Sequence, residues 1–75
     1  MSDRRALIQP RGLRRIEAAS YVGVSPTKFD EMVKRGDMPA GFLVDSIRLW
    51  DRQDLDVCFG LLKDGAEREM EDIRL

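Results

Sequence analysis

The fold is decided by residues 17–36, which run EAASYVGVSPTKFDEMVKRG. Ala18, Ala19 and Val22 share one helical face. Gly23 follows where this helix is predicted to end, because glycine readily takes the left-handed conformation of a sharp turn. The small side chain of Ala19 lets a second helix approach closely across that turn.

The second helix has a start signal, a buried stripe and a stop signal. Ser25 is a favourable N-cap, and Pro26 suits the first helical position, where a backbone N–H has no partner. The residues predicted to face inward are Phe29, Met32 and Val33. Gly36 is predicted to end the helix. The whole unit is typical of a helix-turn-helix, and a plain helical hairpin with no DNA role is the alternative.

We expect the second helix to read DNA, because its N-terminal turn is the part that usually reaches base edges in a major groove. Thr27 suits a thymine methyl group or a phosphate, and Lys28 suits guanine acceptors or a phosphate. Lys34 and Arg35 are expected to hold the DNA backbone. The predicted DNA-binding residues are Arg14, Arg15, Ser25, Pro26, Thr27, Lys28, Glu31, Lys34, Arg35 and Arg48.

Asp30 and Glu31 are unusual on such a helix, because carboxylates repel phosphate. They could accept hydrogen bonds from cytosine N4, pair with Lys34 or Arg35 along the helix, or face solvent. We favour the pairing.

Composition limits the chemistry that the chain can perform. The 75 residues include one cysteine and no histidine. An internal disulfide is therefore excluded, and we expect no zinc site. We also expect no enzymatic activity, because the sequence has no histidine and no phosphate-binding loop. Cys58 is predicted to pack in the core, since no histidine is available to activate its thiol.

The net charge of −1 hides a strong asymmetry along the chain. Residues 1–36 hold eight Lys/Arg against four Asp/Glu, a net charge of +4. Residues 37–75 hold five Lys/Arg against ten Asp/Glu, a net charge of −5. The predicted helix-turn-helix therefore lies in the basic half, as binding to phosphates requires.

The chain ahead of the helices is predicted to be a flexible basic arm, residues 1–12. It is either a solvated terminus or an arm that contacts a phosphate strand or a minor groove. Its apolar run, Ala6-Leu7-Ile8, is too short for a signal peptide or a membrane span, so we expect a cytoplasmic protein with no membrane partner. Arg14 is a poor N-cap for the first helix.

A β-hairpin is predicted after the second helix, with strands 42–44 and 47–50. A two-residue turn at Asp45-Ser46 would place Val44 opposite Ile47 and Phe42 opposite Leu49, and all four side chains would share one apolar face packed on the helices. The turn signal is weaker than Asn-Gly, so a longer loop is the alternative. Such a hairpin is a wing, and Arg48 is the basic residue that it offers to DNA.

A third helix is predicted from an N-cap at Asp51 to Lys63-Asp64-Gly65. Its predicted core stripe is Leu55, Cys58, Phe59 and Leu62. Val57 and Leu61 lie on nearly the opposite side, either as ordinary exposed residues or as a contact between protomers. Residues 64–75 form an acidic tail, in which Ala66, Met70 and Ile73 could line a short helix that frays or orders on a partner.

These elements predict an α+β fold, a small winged helix-turn-helix with three helices and a two-stranded wing. The domain is assigned to residues 13–63, between the arm and the acidic tail. The run from Leu13 to Asp56 resembles the AlpA/excisionase group of winged helix-turn-helix proteins, which is related to the DNA-binding domain of MerR regulators. The matching pieces are Glu17-Ala18-Ala19, Val22-Gly23-Val24-Ser25, Phe29, Gly36-Asp37-Met38-Pro39, Arg48-Leu49-Trp50-Asp51-Arg52 and Asp54-Leu55-Asp56.

The resemblance implies phage, prophage or mobile-element biology, and a protein with no catalytic residues and no cofactor. It implies a second helix in the major groove, a wing on the neighbouring groove or backbone, and action as an excisionase (a recombination directionality factor) or as a small transcriptional regulator. The chain departs from the family pattern at the wing tip. The family usually has a glycine together with an arginine or a lysine there, and this chain has Asp45-Ser46-Ile47. Ala40-Gly41 also stands where proline or a basic residue is common. Both departures remove expected DNA contacts.

Two functions follow from the sequence. The first is sequence-specific binding of double-stranded DNA, with self-association on DNA because one small domain contacts few base pairs. The second is a protein-interaction module that binds an integrase or a repressor through the acidic C-terminal half.

Overall fold

The computed structural model describes the backbone of residues 10–73 and the side chains of residues 10–69. Its elements are β1 (Gly12–Leu13), α1 (Arg15–Tyr21), α2 (Pro26–Arg35), β2 (Phe42–Val44), β3 (Ile47–Asp51) and α3 (Arg52–Ile73). They form a small α+β domain of three helices and a three-stranded antiparallel sheet in the order β1-β3-β2.

The predicted ends of α1 and α2 are confirmed. Gly23 has a φ of 82°, so the turn between the helices uses a backbone conformation that favours glycine. The Ser25 hydroxyl accepts a hydrogen bond from the backbone N–H of Lys28 at 3.1 Å and caps α2. Gly36, which is also left-handed, follows the last residue of α2.

The start of α1 has more hydrogen bonding than the poor N-cap residue Arg14 predicts. Glu17, in the first turn, accepts a hydrogen bond from the backbone N–H of Arg14 at 2.9 Å. This is the Glu-to-backbone half of a capping box, and a carboxylate there also suits the positive end of the helix.

The core lies where α1, α2 and the start of α3 meet the sheet. Its buried side chains are Leu13, Ala18, Ala19, Phe29, Met32, Met38, Trp50 and Leu55. The rings of Phe29 and Trp50 meet edge to face, with centroids 5.2 Å apart and planes at 76°. The Trp50 indole N–H donates to the Pro39 carbonyl oxygen at 2.7 Å. Trp50 is therefore buried with its polar atom satisfied.

The sheet has one strand more than predicted. Gly12 and Leu13 pair with Asp51 and Trp50, so Gly12, which was predicted to belong to the flexible arm, is part of the sheet. Two residues are too short a strand to show an alternating pattern, and the pairing depends on burial of Leu13 against the core. The rest of the predicted arm, residues 1–9, lies outside the described residues.

The predicted hairpin register is confirmed. Phe42 pairs with Leu49 and Val44 with Ile47. Asp45 and Ser46 have φ angles of 47° and 74°, as a tight two-residue turn of type I′ requires. The prediction that this face packs on the helices is wrong for most of it, because the outer part of the hairpin extends past the core and leaves Phe42, Val44 and Ile47 exposed.

Gly41 is needed where the chain enters this hairpin. Its φ is 81°, and a Cβ atom there would lie 2.8 Å from the Leu49 carbonyl oxygen and 3.0 Å from Cε2 of Trp50. A basic residue or proline at this position would clash with β3. The close approach of the backbone to Leu49 and Trp50 therefore explains why position 41 is a glycine.

The third helix is longer than predicted. The Asp51 carboxylate caps it by accepting from the backbone N–H of Gln53 at 3.0 Å, as expected. The helix then continues through Gly65 to Ile73, so the predicted stop at Lys63-Asp64-Gly65 is wrong. A helical glycine costs only about 1 kcal/mol, and the residues after it are good helix formers. The side chains of Met70 and Ile73 lie outside the described set.

The predicted core stripe of α3 is correct at three of its four positions. Leu55 is buried, and Cys58 and Leu62 pack against the core. Phe59 is instead exposed. It lies at the edge of the stripe and lines an open groove with Tyr21 and Val22.

Within residues 10–73, each helix is too short or too polar to traverse a lipid bilayer.

Replacing Trp50 by alanine should lower the free energy of unfolding by about 3–5 kcal/mol, because it removes a buried ring and its contact with Phe29. Urea unfolding followed by circular dichroism measures this loss. The control is Val57→Ala on the exposed side of α3, which should change stability by less than about 0.5 kcal/mol. Equal stability of W50A and the parent would contradict the core assignment.

Candidate nucleic-acid interface

Helix α2 has one buried and one exposed face. Phe29 and Met32 are buried, and Val33 packs against the core at their side. The outward positions predicted from helical spacing, among them Thr27 and Lys34, are exposed. The inward set is confirmed, so the packing of α2 orients its polar face away from the domain.

The N-terminal turn of α2 is fixed by its cap. The Ser25 hydroxyl is already engaged by the Lys28 backbone N–H, and Pro26 is half-buried. Thr27 and Lys28 are exposed in this turn, and the Ser25 hydroxyl, which is also exposed, is the group that caps the helix. Ser25 and Pro26 set the position of that turn.

Lys28 and Glu31 form a pair along α2. The Lys28 ammonium donates to Oε1 of Glu31 at 3.1 Å, and both side chains are about half exposed. The predicted pairing of Glu31 with Lys34 or Arg35 is therefore wrong. Lys28 precedes Glu31 by three residues, a spacing that also brings side chains together on a helix.

Asp30 pairs with Arg15 on the other helix. The Arg15 guanidinium donates from Nε to Oδ1 at 2.9 Å and from Nη2 to Oδ2 at 2.7 Å. The predicted pairing of Asp30 along α2 is therefore wrong. Asp30 lies on the flank of α2 that faces the start of α1, so a two-pronged pair links the helices. Hydrogen bonding to Arg15 lowers the pKa of Asp30, and the same contact raises the pKa of Arg15.

The other basic residues of the two helices differ in how they are held. Arg35 donates from Nε to Oδ2 of Asp37 at 3.0 Å. Arg14 and Lys34 are exposed and form no ion pair with any residue between 10 and 69. Arg14 and Lys34 are thus the basic groups of this surface without a carboxylate partner.

Arg48 is tied to the hairpin itself. Its guanidinium Nη1 donates to the Ala40 carbonyl oxygen at 3.0 Å, and the residue lies opposite Leu43. The tip of the hairpin carries Asp45 and Ser46. The exposed apolar residues of the hairpin are Phe42, Leu43, Val44 and Ile47, which retain between 38% and 61% of their accessible surface.

Arg11, predicted as part of the mobile arm, is anchored. It donates from Nε and Nη2 to the two carboxylate oxygens of Asp51, both at 3.2 Å, and from Nη2 to Oε1 of Gln53 at 3.2 Å. The Arg11 contact lowers the pKa of Asp51. These contacts fasten β1 to the start of α3, and they were missed because the partners are 40 and 42 residues apart in the sequence.

The Tyr21 hydroxyl makes a further bond that sequence spacing does not reveal. It donates to Oδ1 of Asp56 at 2.7 Å, which joins the end of α1 to α3 and raises the pKa of Tyr21. Helix α1 is therefore fixed at both ends by polar contacts, from Arg15 to Asp30 of α2 and from Tyr21 to Asp56 of α3.

Comparison with known proteins gives no match: no family model, curated protein or solved structure is significantly similar to this chain.

The Asp30 carboxyl should titrate below its ordinary pKa of 3.8, because Arg15 favours the charged form. The pair stabilises the fold at neutral pH, and this contribution is lost as the pH falls below about 3.8 through the lower folded-state pKa. Carboxyl NMR shifts followed against pH measure the midpoint. Arg15→Gln should raise it toward 3.8, and the control Lys63→Gln on α3 should not. An unchanged midpoint in R15Q would contradict the pairing.

Proposed function

We propose that this protein binds double-stranded DNA in a sequence-specific manner as a small winged helix-turn-helix protein, with α2 in the major groove. The observation that carries the proposal is the orientation of α2. Its apolar face is buried against α1 and Trp50, and Thr27, Lys28 and Lys34 project from the opposite, exposed face. A capped helix held in this way presents its first turn to base edges.

The charge distribution supports the same surface. Arg14, Arg15, Lys28, Lys34 and Arg35 all belong to α1 and α2 or to the residue before α1, whereas α3 carries much of the acidic charge. Phosphate contacts supply much of the affinity of a DNA-binding protein, so a local basic surface suffices in an acidic chain. In this proposal Thr27 contacts a base, and Arg14, Arg15, Lys28, Lys34 and Arg35 contact phosphates.

The wing makes a small contribution to DNA binding in this proposal. Arg48 is bonded to a backbone carbonyl, and the tip carries a carboxylate at Asp45. Both features weaken a phosphate contact. The resemblance of residues 13–56 to the AlpA/excisionase group then suggests the biological role, an excisionase or a small transcriptional regulator of a mobile element that works as several copies on DNA, in the excisionase case beside an integrase.

A second candidate is a protein-interaction module. The exposed apolar wing and the exposed Val57 and Leu61 on α3 favour it, because such residues are common at protein interfaces. In this case an integrase or repressor would bind the acidic C-terminal half, and duplex DNA would not bind near physiological salt.

Selection of duplexes from a random-sequence pool should yield a preferred site, and fluorescence anisotropy should then show tight, salt-sensitive binding to it. Thr27→Ala should weaken binding to that site by about 1–3 kcal/mol through loss of a base contact. Lys28→Ala should weaken it and make the slope of log affinity against log salt shallower by about 0.9 for one lost phosphate contact.

The matched control is Lys63→Ala, which removes the same charge from α3 and should bind as the parent does. Parental affinity in both T27A and K28A would contradict the assignment of α2. Weak binding of the parent to every duplex would favour the protein-interaction module.

A further inference from the structure

Two neighbouring carboxylates of α2 hold basic side chains in different ways. Asp30 accepts two hydrogen bonds from Arg15 on another helix, at 2.9 and 2.7 Å. Glu31 accepts one hydrogen bond from Lys28 on its own helix, at 3.1 Å. The first contact fixes the position and plane of a guanidinium, whereas the second only attracts a point charge.

The donors left over also differ. A guanidinium has five N–H donors in a fixed plane, and Asp30 uses two of those of Arg15. Nη1 and one proton of Nη2 stay available, so Arg15 can hold Asp30 and a phosphate together. The Lys28 ammonium keeps two of its three N–H donors, but its single bond to Glu31 does not fix their direction, and the carboxylate beside it repels a phosphate that approaches them.

The positions on α2 determine which part of DNA each pair would meet. At about 100° per residue, Asp30 and Lys28 lie on opposite flanks of the outward face. The flank with Asp30 faces Arg15, the first residue of α1. In a helix-turn-helix bound to DNA the first helix crosses the phosphate backbone. Arg15 would therefore lie against one phosphate strand when α2 occupies the groove.

We propose that Asp30 is a positioning residue for DNA binding, which holds the Arg15 guanidinium ready for a phosphate and so strengthens binding despite its own charge. Glu31 has the opposite effect, because it competes with DNA for Lys28. This inference rests on the proposed DNA-binding function and adds to it the sign of each carboxylate's contribution.

Asp30→Asn and Glu31→Gln provide a matched test, since each removes one negative charge from α2 and keeps the shape of the side chain. Affinity is measured by fluorescence anisotropy with a random-sequence duplex over a series of salt concentrations. D30N should bind about three- to fivefold more weakly, and E31Q about two- to fivefold more tightly. The salt slope should become shallower by about 0.9 in D30N and steeper by about 0.9 in E31Q.

The Arg15→Gln background separates positioning from a structural role. If Asp30 acts through Arg15, adding D30N to R15Q should cause no further loss of affinity. Arg15→Lys keeps the charge without the planar fork, so it should bind more weakly than the parent as well. Thermal unfolding of each variant verifies that the fold is intact.

Tighter binding by D30N, as by E31Q, would show that Asp30 only repels DNA and would overturn the inference. An equal loss from D30N in the parent and in R15Q would overturn it too, because Asp30 would then act through the fold. If neither the parent nor the E31Q variant binds any duplex, the proposed function itself is overturned.

Discussion

Burial of Phe29 is the interaction on which the arrangement of the domain depends. The ring lies in the core with Ala18 and Ala19 of α1 and meets Trp50 of β3 edge to face at 5.2 Å. Trp50 is fixed in turn by its bond to the Pro39 carbonyl oxygen. One side chain of α2 thus connects the helix pair to the sheet, and its direction determines which residues of α2 face solvent.

The same constraint gives the exposed face of α2 its chemical character. Since Phe29 and Met32 point inward, Thr27 and Lys34 must point outward, and Asp30 must lie on the flank next to α1. The basic residues of this surface are therefore arranged by packing and then by carboxylates. Arg15 and Arg35 are each held by an aspartate, and Lys28 by a glutamate. The proposed recognition of a duplex would use this arrangement of basic side chains.

Sequence patterns were sufficient where the signal is local. The ends of α2, its buried stripe and the hairpin register all depend on residues a few positions apart, and Ser25, Phe29 and the Val44–Ile47 pair are found as predicted. The strand at Gly12–Leu13 and the bond from Arg11 to Asp51 depend on contacts about 40 residues apart. Such contacts leave no periodicity in the sequence.

The outward face of α2 was predictable from the sequence, but the ion pairs on it were not. Helical spacing identified the outward face, yet the partner of Asp30 depends on how α1 crosses α2. The long α3 was missed because Gly65 is a common stop signal, although it costs a helix little when good helix formers follow. The exposed apolar hairpin was missed because alternation in the sequence shows which side chains share a face and not whether another element covers it.

The most direct test of the account is an NMR titration of the isotope-labelled protein with a duplex, followed through its backbone amides. If α2 enters the major groove, the largest shift changes will lie at Thr27 and Lys28, with a second group around Arg15, while Asp45 and Ser46 at the hairpin tip change little. Changes concentrated in the hairpin, with α2 unaffected, would contradict it.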